Sequence, residues 1–194
     1  GKATVAGRST HVVEVSPPGR SAGTRKIWID CEKWVPLCWE ERDSSGKLLS
    51  RTAYTSIRFD SSVPRIVPPA AFTQPPSVLP LPMSLAEAEK VSGFTVHSPG
   101  YLPKGFHREA VTVVTIVGGK RPAYGISVMF SNGLDLVTFS QAPADLISGQ
   151  KGPGKPRVSA YGQWVWVKGE FHYTLSATPA LPEDEVKRII ESVD

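Results

Sequence analysis

The sequence predicts an α+β fold: an antiparallel curved sheet, then a small α+β domain with its own antiparallel sheet and a C-terminal helix. Three observations carry this expectation. Strand-like runs rich in β-branched and aromatic residues follow one another too closely to leave room for crossover helices. A proline-dense stretch divides the chain. Helical patterns occur only after that stretch.

The first block covers residues 1–60. Thr10 to Val15 (T-H-V-V-E-V) reads as a strand and is broken by S-P-P-G at 16–19. Arg25 to Cys31 and Leu37 to Arg42 are the next two strands. Asp43-Ser44-Ser45-Gly46 is a turn, and Lys47 to Phe59 supplies a long fourth strand. Residues 61–83 form a linker, because seven prolines between 60 and 83 remove backbone donors and favour extended chain.

The second domain spans 84–194. Ser84 and Glu87 stand at capping-box spacing before a short helix that ends ahead of Gly93. Strands are expected at 94–98, 108–117, 124–130, 134–140, 157–168 and 170–177, with tight hairpins at Ser131-Asn132-Gly133 and Lys168-Gly169. The loop 148–156 is expected to be exposed. A last helix from Glu183 to Val193 places acids at its N-terminus, where the dipole favours them, and Val186, Ile189, Ile190 and Val193 on one face.

The 194 residues carry 22 basic and 18 acidic side chains, a net charge of +4 that falls within residues 1–82. The basic residues are interleaved with acids rather than gathered in a run, which argues against nucleic-acid binding. No apolar run reaches the roughly 18 residues of a membrane span. The opening GKATVAGRST reads as the middle of a fold, so upstream sequence with any signal or anchor is expected. His11, His97, His107 and His172 are scattered, no nucleophile elbow or phosphate loop occurs, and two cysteines cannot make a metal site. The expectation is a non-enzyme without catalytic residues, metal or cofactor.

Among all segments the hairpin 25–42 is the most informative. An odd-sum register would gather Trp28, Leu37 and Trp39 into one apolar patch and bring Cys31 and Cys38 close enough to bridge. An even-sum register would separate the cysteines. The two tryptophans are either sheet core or the wall of an apolar groove. Trp28, Leu37, Trp39 and Tyr54 are the candidate ligand or interface surface.

At this hairpin the chain resembles the RseB/MucB family of bacterial sigma-factor regulators. The matching pieces are Gly7-Arg8, Ile27-Trp28-Ile29-Asp30, Pro36-Leu37, Asp43-Ser44-Ser45-Gly46 and Tyr54 to Phe59. Past the linker they are Tyr101-Leu102-Pro103-Lys104-Gly105-Phe106, Phe130-Ser131-Asn132-Gly133-Leu134 and Ile190-Glu191-Ser192-Val193. Asn132 stands where the family usually has Asp, the linker is richer in proline, and the first two-thirds of the family's N-terminal domain is missing. Phe94 to Phe106 also resembles a small domain of Gram-positive envelope and sporulation proteins. The resemblance implies that residues 1–60 are the C-terminal portion of a LolA-like open β-barrel. It implies an extracytoplasmic location, a membrane-anchored anti-sigma factor as partner, and a lipid-like or envelope-stress signal that modulates the pairing. Alternatives are a LolA-type lipid or lipoprotein carrier and a structural envelope module without ligand. A sheet lacking its neighbouring strands is further expected to pair into a homodimer.

Overall fold

The computed structural model describes residues 1–17, 23–59, 82–116, 123–146 and 154–194. The expected linker lies almost wholly outside these residues, as does most of the expected 148–156 loop. Two antiparallel sheets and two helices result, matching the predicted class.

The first sheet is a five-stranded meander, β1 (Lys2–Val5), β2 (Arg8–Val15), β3 (Thr24–Asp30), β4 (Pro36–Arg42) and β5 (Leu48–Ala53), each paired with its sequence neighbour. The expected count of four strands is corrected by β1. Its turn is made by Ala6 and Gly7, which both adopt positive φ, 51° and 75°, between paired Val5 and Arg8. That is the backbone of a two-residue hairpin turn usually signalled by Asn-Gly. The long fourth strand is shortened to Leu48–Ala53. Beyond Ala53 the Tyr54 amide still donates to the Leu37 carbonyl at 2.9 Å, and no further pairing with β4 follows among the described residues.

The second sheet has the order β6-β7-β8-β11-β10-β9, from β6 (His107–Ile116), β7 (Ala123–Ser131), β8 (Leu136–Pro143), β9 (Gly154–Val158), β10 (Trp164–Lys168) and β11 (Phe171–Ala177). The single strand expected over 157–168 is two. Gly162, at φ 73°, donates to Ser159 and closes a turn between them. The strand expected at 94–98 is absent because side chains satisfy its backbone. Gln141, fully buried, accepts from the His97 amide at 2.8 Å and donates to the Thr95 carbonyl at 2.9 Å, while Glu89 accepts from the Val96 amide.

Helices α1 (Leu85–Ser92) and α2 (Glu183–Glu191) belong to this second unit. The Ser84–Glu87 capping box forms reciprocally, and Gly93 ends α1 in the left-handed conformation. Sixteen buried residues form one hydrophobic core, from Ala88 to Val193. Phe139, Tyr173 and Leu175 of the sheet and Val186, Ile189 and Ile190 of α2 belong to this one core. Tyr101 clasps α2 from outside, its hydroxyl donating to Glu185 at 2.6 Å with the Arg188 guanidinium 4.0 Å over its ring.

Candidate functional site

In the first sheet the two faces differ in kind, and register decides which residue goes where. Directly opposed residues on neighbouring strands share a face. Glu14, Lys26, Glu40 and Arg51 are opposed in turn across β2, β3, β4 and β5, a row of alternating charge. Arg51 Nε lies 3.3 Å from Glu40, Arg42 joins the same carboxylate at 3.1 Å, and the Lys26 ammonium sits 5.7 Å from the Trp28 ring. The opposite face carries the row Val13, Ile27, Trp39 and Thr52. Val13 and Trp39 are each 41 % exposed. Beside this row Ile29 opposes His11, whose ring is stacked on Trp34 with centroids 5.6 Å apart.

Trp34 is the residue that strand patterning passed over. It is 70 % exposed and holds a φ of 57°, which a bulky side chain rarely adopts. Asp30 fixes that loop. Its carboxylate accepts from the amides of Glu32 at 2.9 Å and Lys33 at 2.8 Å and forms a two-armed ion pair with Arg8. These bonds to the charged form, the Arg8 pair foremost, hold the Asp30 carboxyl well below its usual range and raise the Arg8 guanidinium. Arg8 also reaches Glu32 at 2.9 Å and lies over the Phe59 ring at 5.1 Å. Gly7-Arg8 and the Asp of Ile27-Trp28-Ile29-Asp30, two pieces of the sequence resemblance, are therefore one contact that anchors the β3–β4 loop.

The structure separates the four candidate residues. Trp28 pairs with Cys38 and Ile27 with Trp39, so the tryptophans lie on opposite faces and the expected Trp28–Leu37–Trp39 patch does not form. The cause is a β-bulge at Leu37, between the Ile29–Pro36 and Trp28–Cys38 pairs. It lets consecutive Leu37 and Cys38 both be buried with 0 % exposure. Leu37 offers no surface; Trp39 and Tyr54, the latter 49 % exposed, do. Around Cys38 the register is the even-sum one, the alternative that separates the cysteines, and Cys31 and Cys38 are unbridged. Cys31 lies three residues past Trp28, the partner of Cys38, about 10 Å along the strand and beyond disulfide reach.

In the second unit a cavity of about 570 Å³ opens between the end of α1 and β8–β11, walled by Phe94, Phe171, Asp145 and Glu170. Among the described residues no three His, Cys, Asp or Glu converge in a way that could hold a metal, and no helix is long and apolar enough to cross a membrane.

Residues 1–74 match the family model of the MucB/RseB N-terminal domain. Solved structures are similar over nearly the whole chain. The crystal structure of MucB in complex with MucA(peri) is 17 % identical at a TM-score of 0.61, covering 97 % of this chain and 63 % of that one. The crystal structure of MucB gives 17 %, 0.54, 99 % and 60 %. The complex structure of Pseudomonas aeruginosa MucA/MucB gives 18 %, 0.57, 97 % and 60 %. At these identities the likeness is one of fold, and this chain spans about three-fifths of the length of each. No curated protein sequence matches it.

Proposed function

We propose that this chain, which belongs to the MucB/RseB family, is an extracytoplasmic regulatory binding protein that engages a membrane-anchored anti-sigma factor. The observation that carries the proposal is the pairing of the family match over 1–74 with a fold like that of MucB bound to MucA(peri). In this reading residues 1–60 and 84–194 act as two domains joined through 61–83. The exposed row Val13–Ile27–Trp39, with Trp34 and Tyr54 near it, meets an apolar group, either a partner side chain or part of an acyl chain of a lipid-like stress signal. Each buried CH₂ would contribute about 0.8 kcal/mol.

The test is capture of the chain by the extracytoplasmic regions of anti-sigma factors from the same genome, with native mass spectrometry for co-purifying lipid. A specific complex that weakens with Trp39→Ala, while thermal unfolding barely moves, is the expected result. Failure to bind any such region would overturn the proposal. Lipid without a protein partner would favour a LolA-type carrier.

A further inference from the structure

Among the described residues the two sheets present four edges, and three of them are blunted. β1 has only four residues, two of them half-buried. β6 is covered at Val111, whose carbonyl takes the Met83 amide at 3.0 Å. β9 carries Gly154 and Pro156, residues that weaken a strand and remove a donor. β5 differs from all three. Its six residues are all exposed, and residues 47–59 contain neither proline nor glycine. Among the described residues β4 is its sole partner. A long open edge of this kind is a template for another extended chain.

The direction of its backbone groups follows from one bond. Tyr54 points its amide at Leu37, so by alternation the amides of Thr52 and Ser50 also face β4, while those of Arg51 and Ala53 face outward. Charge selects what could use them. Residues 44–53 hold Lys47 and Arg51 and no acid. Arg51 keeps 56 % of its side chain exposed even while paired with Glu40. Exposed Leu48, Leu49 and Tyr54 add apolar contact along the same rail.

We infer that the free edge of β5 docks an extended acidic segment of a protein partner, which joins the first sheet as a sixth strand. This deepens the binding reading above and rests on it. Main-chain bonds to Arg51 and Ala53 supply attachment, and Lys47 and Arg51 supply preference.

The test titrates the intact chain with a short synthetic peptide alternating glutamate and valine, against its lysine counterpart. Amide exchange is followed along β5. The glutamate peptide is expected to bind about tenfold tighter or better and to slow exchange at Arg51 and Ala53. Ala53→Pro removes one outward amide without touching the β4 ladder and should weaken binding by about tenfold. Should that variant unfold, Arg51→Glu tests the charge term alone and should narrow the gap between the peptides.

Equal affinity for both peptides, no binding, or protection at another edge would overturn the inference. Protection of β5 that rises with protein concentration alone would also overturn it, in favour of a second copy. If Ala53→Pro still captures an anti-sigma region as well as the native chain does, the docking mode fails while the proposed function stands. If the native chain captures none, the function itself fails.

Discussion

The two sheets are of similar size but are held together in different ways. The six-stranded sheet lays one face against α1 and α2, and all sixteen residues of the hydrophobic core lie between Ala88 and Val193. Among the described residues the five-stranded sheet has no helix of its own. Its buried members are few, chiefly Leu37, Cys38, Thr10 and Asp30, and a row of ion pairs crosses one face while an apolar row stays open on the other. The first sheet leaves in solvent the kind of surface that the second has covered. Among the described residues a well-packed unit thus stands beside a sparsely packed one, and in the proposed reading the uncovered surface is the one that binds.

Breaking the core should have the largest effect. Phe139→Ala, at a fully buried position, is expected to cost about 3–5 kcal/mol in urea unfolding, whereas Trp39→Ala should cost about 1 kcal/mol or less. Similar losses at both sites would erase the contrast between the sheets.

Acid should then separate them. Bonding to Arg8 and the loop amides depresses the Asp30 carboxyl, so its contribution is complete above the ordinary carboxylate value of 3.8 and fades as pH falls below it. Signals from the first sheet, read by the environments of Trp28, Trp34 and Trp39, should melt with acid before those of Trp166. In Asp30→Asn that acid step should vanish, with the first sheet already weaker at neutral pH. Simultaneous melting of both sheets would count against this.

The smallest effect sharpens the comparison from the stabilising side. Ala6 occupies a positive φ that Asn tolerates better, so Ala6→Asn should stabilise the first sheet by about 0.5 kcal/mol and slow its amide exchange. The second sheet should be unmoved.

Much of the fold could be read from residue order, for reasons these contrasts explain. Where one physical rule acts alone it is legible. Ser84 and Glu87 announce α1, and the spacing of Val186, Ile189 and Ile190 announces which face of α2 is buried. Where a rule is overridden it is not. An alanine in a glycine's conformation hid β1, and a side-chain amide stood in for a strand at 94–98. The candidate site suffered most, because pairing parity cannot be counted across an unseen bulge. Trp39 and Tyr54 are candidates by residue type and are exposed, while Trp34 lies in a loop where alternation has nothing to say. Arg8 and Asp30 are 22 positions apart and meet only once β2 and β3 pair.

The bulge at Leu37 also sets which deletions this sheet can absorb. Leu37 is the surplus member of β4, so excising it would join the Ile29–Pro36 and Trp28–Cys38 pairs into one uninterrupted ladder. Every other side chain would keep its side of the sheet, at the loss of one buried leucine. Excising Trp39 instead would shift the reading frame of the strand and turn Glu40 toward Ile27 on the apolar face. To the sheet one deletion is a correction and the next a frameshift, though the two positions are neighbours but one.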